Sequence, residues 1–338
     1  MSLSQAKRNS MRLYLLQMIA RKQPGFIAKA AKEFDVTPAT IYKCLSNLIE
    51  ENTIKKDGKG KYSLVSSVNG IVVKIDDNTS EERVYNQFFK EKLADLPANV
   101  RGIWEYILSE MLNNAIDHSG ADKMQLILIT DALTTTAIVA DNGVGIFKKI
   151  MNGFNYDSIE EAAGELFKGK ITTDKANHSG EGIFFSSRAA DRFVILSSNR
   201  TVTYTNGIDG SGVDYKDLGG TLDGTVIFVA LSNHSKKRLR DVFDEFSDVE
   251  EGFNKTGIPI AAFFDGAPVS RSQAKRLCNR LDEFSEVVLD FANVEWMGQG
   301  FAHQVFVVFQ REHPGIKLTS VNMSGGVEDM YKHVINTR

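Results

Sequence analysis

The sequence predicts a multidomain α/β protein, and three observations carry that prediction. The chain has 338 residues, more than one hydrophobic core ordinarily organises, so two or three domains are expected. Its first 65 residues read as three helices and a hairpin, with 12 Lys/Arg against 5 Asp/Glu. The remainder alternates apolar extended runs with helical runs and carries −10, against +7 for the first 65 residues. A basic head on an acidic body points to a polyanionic partner at one end only.

At 42% hydrophobic and 25% charged, the composition fits a globular chain and excludes a disordered or fibrous one. Cys44 and Cys278 are the two cysteines, with no CxxC spacing, so neither a disulfide framework nor a zinc ribbon is expected. The N-terminus lacks the apolar core of a signal peptide, and no apolar run approaches ~18 residues. A cytoplasmic protein with no membrane partner is expected.

The first helix is read over Ala6–Ile19, from Met11, Leu13, Leu15, Leu16, Met18 and Ile19 at helical spacing. PGFIAKAAKEF (24–34) gives a second, with Phe26, Ile27, Ala30 and Phe34 inward. A third begins at TPATIYKCLSNLIEEN, where Thr37 suits an N-cap and Pro38 the first helical position. Its apolar side is Ile41, Leu45, Leu48 and Ile49. TIKKDGKGKYSLV (53–65) reads as a hairpin, with turn residues at Asp57-Gly58 and Lys59-Gly60.

Residues 1–66 so arranged resemble the winged helix-turn-helix domain of bacterial transcription regulators. The resemblance implies DNA as partner, with helix 37–51 in a major groove and the hairpin on backbone phosphates. Thr37, Thr40, Tyr42 and Lys43 would serve the first contact, and Lys55, Lys56, Lys59 and Lys61 the second. A small protein-interaction module is the alternative for the same elements.

Within a domain read over residues 67–233, residues 100–230 hold the strongest signals. On a helix, Trp104, Ile107, Leu108, Met111, Leu112 and Ala115 share one arc. Glu110 and Asn114, four apart, lie on its edge with Asp117 beside them, while Asn113 is expected to face water. Helix propensity does not recommend Asn, Asp and His there, so the run NNAIDH (113–118) needs another reason. MQLILI (124–129) and TTTAIVAD (134–141) read as two strands, the second running into DNGVGI. Then come SGEGIFFSSRAADRFVILSS (179–198), a Gly-x-Gly turn opening a helix before a strand, and GTVIFVAL (224–231). A helix start offers free backbone donors to a phosphate.

No single one of these is decisive; their order and spacing are. Glu-x3-Asn on a helix, strands, DxGxG, an insert, GxG before a helix, and Gly-Thr together resemble the Bergerat-fold ATPases, the superfamily of gyrase, Hsp90, histidine kinases and MutL. The resemblance implies ATP and Mg²⁺ as cofactors in an α/β sandwich. It assigns Asn114 to the Mg²⁺ shell, Asp141 to the adenine amino group, and Gly143 and Gly145 to the first glycine box. Gly180 and Gly182 match the second, near the phosphates, and Thr225 a threonine near adenine. Glu110 matches the general base of the hydrolysing members and the serine-activating glutamate of anti-sigma-factor kinases. Lys168, Lys170, Thr172, Thr173 and Lys175 fall in the lid segment, some of them within reach of phosphates. The entry to this region is read as a strand at 70–75 and a helix over 80–96.

A connector helix is expected within 234–252, at SKKRLRDVFDEF. In 253–338, strands are read at 258–264, 287–294 and 317–323, and helices over 270–284, 302–313 and 326–336. Alternation of this kind makes a small, mainly parallel sheet. SRSQAKRL and LDFANVEWMGQGFAHQVF resemble the STAS-like domain of unknown function found beside such ATPases. Ser270, Arg271, Ser272 and Lys275 form its polar cluster, which serves either helix capping or binding. Gly298, Gln299 and Gly300 stand where anti-sigma antagonists carry a phosphorylated serine.

The expected function is that of an ATP·Mg²⁺-binding, DNA-binding regulator whose nucleotide state controls the winged helix and the STAS-like domain, the latter meeting a partner protein. A serine protein kinase and a slow ATPase driving a conformational cycle are the alternatives. A homodimer is compatible with this organisation, although no residue pattern requires one.

Overall fold

A computed structural model describes residues 4–58, 60–171, 180–207, 210–248, 252–262, 264 and 266–336. The architecture is mixed α/β. The chain divides into two compact units: Met1–Gly70 with Ile127–Ala137 and Leu231–Ser235, and Ile71–Leu126 with Ile138–Ala230 and Lys236–Arg338.

In the first unit, α1 (Gln5–Ala20), α2 (Phe26–Glu33) and α3 (Pro38–Glu50) precede an antiparallel pair, β1 (Ile54–Gly58) and β2 (Lys61–Leu64). Ser4 and Thr37 cap α1 and α3 by accepting from the N–H of Lys7 and Thr40. Leu15, Ile19, Phe26, Ala30, Ile41, Leu45, Leu48 and Ile54 form one core that joins the helices to β1. Arg12 closes α1 onto the end of α3 with two bonds to the Glu51 carboxylate, at 2.9 and 2.5 Å. Ile49, expected inward, is 39% exposed, and Cys44 is buried instead. The stripe 41-44/45-48 has already passed by residue 49.

Strand β3 (Ser67–Lys74) leads to α4 (Glu81–Val84) and a π-turn over Tyr85–Phe89. The helix expected over 80–96 does not continue, and residues 90–96 run as turns. Phe88, Phe89 and Leu93 are all buried, and a straight α-helix would set Phe88 and Leu93 about 140° apart. Helix α5 (Ala98–Asn113) then buries Trp104, Ile107, Leu108, Met111 and Leu112. Each such side chain is worth about 1.5–3 kcal/mol when fully withdrawn from water.

Strands β4 (Lys123–Thr130) and β5 (Thr134–Asp141) follow, then α6 (Ile146–Phe154), α7 (Ile159–Lys168) and α8 (Gly182–Ala189). The long antiparallel pair β6 (Arg192–Gly207) and β7 (Gly210–Ser232) completes a five-stranded sheet in the order β3-β4-β5-β7-β6. Met124, Leu126, Val139, Ile227 and Val229 are buried at alternate positions, which makes one face of the sheet apolar. Helices α6 and α8 pack on β6, and α5 packs on α8.

Helix α9 (Leu239–Phe246) starts four residues later than the run from 235 suggested, because Arg238 is extended at its N-cap. A short pair, β8 (Ser247–Asp248) and β9 (Gly252–Phe253), precedes β10 (Lys255–Pro259) and α10 (Arg271–Cys278). Next come β11 (Glu286–Asp290), α11 (Gln299–His303), a π-turn over Gln304–Phe309, and α12 (Gln310–Glu312). Strand β12 (Lys317–Val321) and α13 (Gly325–Asn336) end the described chain.

The strands β10, β11 and β12 are parallel and adjacent in that order. The strand expected at 258–264 lies instead at 255–259, since Pro259 has no N–H with which to continue a ladder. The helix expected over 270–284 stops at Cys278, where Asn279 is extended and Arg280 is left-handed, with φ +60°. Thr256, Ile258, Val287 and Leu289 are buried on one face. On the other, Lys255, Gly257, Pro259, Val288 and Asp290 line a cleft of about 600 Å³ with Arg188 and Tyr204. Among the described residues no helix is long and apolar enough to cross a membrane.

Candidate functional site

Helix α5 does not end at Asn113; it widens into a π-turn over Asn114–His118. A π-turn advances less per residue than an α-helix, and such turns recur at functional sites. This accounts for the mediocre helix formers in the run. Two expectations are corrected: Asn113, about 60° from Glu110 on α5, is half-buried and lines the same cavity as Asn114, whereas Asp117, inside the π-turn, is exposed. Neither carboxamide makes a protein hydrogen bond among the described residues. Glu110, half-buried, is one turn earlier on the same edge.

Strand β5 delivers Asp141. Its Oδ1 accepts the N–H of Gly143 at 2.9 Å and of Thr225 at 3.3 Å. Oδ2 makes no protein hydrogen bond among the described residues. Burial pushes the Asp141 carboxyl above the ordinary aspartate range, and the two backbone donors only partly offset it. Thr225 serves twice, because its Oγ1 accepts the N–H of Ile146 at the start of α6. Gly145, with φ +85°, makes the turn between β5 and α6, and a Cβ there would stand 2.7 Å from Ser197 Oγ. Ser197 in turn donates to the carbonyl of Gly224 at 2.9 Å.

Helix α8 begins at Gly182, and a Cβ at that position would overlap the Glu110 carboxylate. The absence of a side chain thus lets the two helices α5 and α8 meet at the cavity edge. A Cβ at Gly180 would stand 2.6 Å from the backbone of Ile171. Together these elements enclose about 290 Å³, lined by Glu110, Asn114, Asp141, Gly145, Gly180, Gly182 and Thr225 among others. Gly143 donates to Asp141 and does not line the space. Met111, Val139, Ile146, Ile150, Leu166, Ile171, Ile183 and Ile227 supply apolar walls. The chemistry on offer is a slot with apolar walls, a largely buried carboxylate acceptor, and amide and carboxylate oxygens on one edge.

Sequence reasoning missed several contributors. Lys149, one turn into α6, lines the cavity and donates from Nζ to the carbonyl of His118 at 2.5 Å. Its place four residues after Gly145 was the available signal. Ser197 had none, because its role depends on the β6/β7 register. Lys168 and Lys170, expected near phosphates, are committed elsewhere: Lys168 is fully buried against Glu165, and Lys170 donates to the carbonyl of Glu283 at 2.8 Å. Thr172, Thr173 and Lys175 lie outside the described residues.

No group of three or more His, Cys, Asp or Glu side chains that could hold a metal occurs among the described residues. Glu110, Asn113 and Asn114 bring to the cavity edge the side-chain oxygens that a cation could meet. In the first unit, Tyr42 is 53% exposed, and Lys43, Lys55, Lys56 and Lys61 are exposed as well. Thr37 and Thr40 share a hydroxyl–hydroxyl bond of 3.1 Å at the start of α3, so their first task is capping. Lys59 lies outside the described residues. Ser270 also caps: it accepts the N–H of Gln273, whose side chain returns to the Ser270 backbone.

A family model described as a STAS-like domain of unknown function (DUF4325) matches residues 273–328, from α10 into α13. No curated protein matches the chain.

Proposed function

We propose that this protein is an ATP·Mg²⁺-responsive regulator whose basic N-terminal unit binds DNA. One observation carries the reading. Seven residues singled out across positions 110–225 for their order and chemical type line a single cavity. Adenine suits such a slot, since its faces want apolar contact and its amino group wants an acceptor, here Asp141 Oδ2. Asn114 would give one oxygen to Mg²⁺, which takes oxygen ligands and keeps phosphates and waters in its shell. The motif order resembles the Bergerat-fold ATPases, and the helices and hairpin of residues 1–66 resemble a winged helix. The exposed Tyr42, Lys43, Lys55, Lys56 and Lys61 support a DNA-binding role for that unit. The STAS-like segment is the part suited to a partner protein.

For nucleotide to act as a switch, it must bind one arrangement of the protein better than another; occupancy alone shifts nothing. The test is selection of DNA from a random pool, then anisotropy titration with and without a non-hydrolysable ATP analogue and Mg²⁺. Affinities differing by about fivefold or more are expected, and equal affinities overturn the switch.

Glu110 favours a second reading, slow hydrolysis. Placed on the cavity edge against Gly182, it would take the proton of a water whose oxygen attacks the γ-phosphorus. The bond from that phosphorus to the β,γ-bridging oxygen breaks, and ADP and phosphate leave.

A further inference from the structure

One wall of the cavity is built by α7 and the residues just after it, and that stretch is held mainly from the STAS-like segment, residues 273–328, with Thr256 on the strand before it. Leu166 and Ile171 face the cavity. Between them, three carbonyls and two side-chain amines are bonded by residues from 256 onward. The carbonyl of Lys168 accepts the Thr256 hydroxyl at 2.7 Å. Those of Gly169 and Lys170 accept from Arg280 Nη2, at 3.4 and 2.5 Å. The first two are among the carbonyls a helix leaves without intrahelical partners at its C-terminus, and Lys170 follows just beyond the cap.

The pattern is reciprocal. Lys168 Nζ donates to the carbonyls of Asn279 at 2.8 Å and Arg276 at 3.3 Å, at the end of α10, and forms an ion pair with Glu165. Lys170 Nζ reaches the carbonyl of Glu283 and lies 4.7 Å from the centre of the Phe284 ring. Arg280, at its left-handed position, also bonds Glu283 at 2.8 Å and lies 3.5 Å from Glu165. Two helix ends thus satisfy each other through Lys168 and Arg280. Burial drives Glu165 up and Lys168 down toward their neutral forms, each opposed by the charge of the other. Such a pair is strongly destabilising to break from one side.

We propose that the STAS-like segment regulates nucleotide occupancy of the cavity by bracing its Leu166–Ile171 wall, with Arg280 as the principal positioning residue. The proposal rests on the nucleotide reading given above. Because coupling is mutual, a bound nucleotide steadies the brace as much as the brace favours nucleotide. Cys278 is a built-in reporter: it sits between the residues that make the brace, and burial pushes its thiol up to about 12.

The test uses the full chain, wild type and Arg280→Ala. Calorimetry measures uptake of a non-hydrolysable ATP analogue with Mg²⁺, and mass spectrometry follows maleimide labelling at Cys278. Arg280→Ala should bind the analogue about fivefold or more weakly and label faster without nucleotide. The analogue should slow labelling of the wild type. Thr256→Val, which removes one hydroxyl from the brace, should move both readouts the same way by a smaller factor and serves if Arg280→Ala does not fold. Wild-type protein that takes up no analogue overturns the nucleotide reading and this proposal with it. Uptake with equal affinity in wild type and folded variants overturns the brace alone.

Discussion

Asp141 and Thr225, 84 residues apart in sequence, are joined by a bond of 3.3 Å from the threonine N–H to Asp141 Oδ1, the same oxygen that takes the Gly143 N–H. One carboxylate oxygen is therefore occupied by the protein's own backbone, and the other makes no protein hydrogen bond among the described residues. Asp141→Asn can keep the two backbone bonds on its remaining oxygen but presents an NH₂ where Oδ2 stood. Calorimetry should show ATP binding weakened by about tenfold or more, with no loss of melting temperature in the nucleotide-free protein. Unchanged affinity would remove Asp141 from the site.

The same carboxyl predicts a pH dependence. Its folded pKa lies above the ordinary value because of burial, so the folded protein holds this proton more tightly than the unfolded chain. The stability it contributes is present below the ordinary aspartate range and is lost as pH rises through the raised folded pKa. Urea unfolding across acidic pH should show that decline in the wild type and not in Asp141→Asn. Nucleotide affinity should run the opposite way, falling as pH drops through the same range, since only the ionised form offers Oδ2 as an acceptor.

Glu110→Gln retains the shape of the side chain but cannot take a proton. Phosphate release should fall by about 100-fold or more while analogue binding stays within a factor of about two. Loss of binding in this variant would make Glu110 structural. Label from γ-phosphate recovered on a co-purifying protein, and not as free phosphate, would establish the kinase alternative.

Gly145→Ala places a methyl group at φ +85° and 2.7 Å from Ser197 Oγ. A destabilisation of about 1–3 kcal/mol is expected, read as a lower urea midpoint, with nucleotide binding lost in parallel. A variant as stable as wild type would mean that the β5–α6 turn relaxes freely.

The hairpin lysines Lys55, Lys56 and Lys61 are exposed. If they meet backbone phosphates, each change to Ala should weaken binding across all DNA sequences and lower the salt slope by roughly 0.9. Tyr42→Ala should instead alter which sequences are preferred. Lysine variants that leave the salt slope untouched would point to the protein-interaction alternative.

What the sequence revealed was local. Thr37 and Pro38 announced the start of α3, Ser270 that of α10, and the apolar arc from Trp104 to Leu112 the buried side of α5. What stayed hidden depended on partners far along the chain. Phe88 and Leu93 are both buried, about 140° apart on a straight helix, and the segment that reads as one helix over 80–96 leaves helical form after Phe89. Asn113 shares the cavity side of α5 with Glu110, and Asp117, within the π-turn, is exposed and does not line the cavity. Lys168 and Lys170 look like phosphate ligands by position and charge, and nothing before residue 256 discloses that Asn279 and Glu283 claim them.

The rings around α8 set a limit on how this chain can be cut. Phe184 lies 5.0 Å from Phe246 and 4.6 Å from Phe253, and Phe185 lies 4.4 Å from Phe243. A recombinant fragment ending at residue 233, where the motif region stops, would strip those neighbours away and turn two buried phenylalanines toward solvent. Such a truncation should express as aggregate, whereas one that runs past Phe284 keeps the aromatic stack whole. Motif boundaries and folding boundaries differ in this polypeptide, and the smallest piece worth purifying is set by the latter.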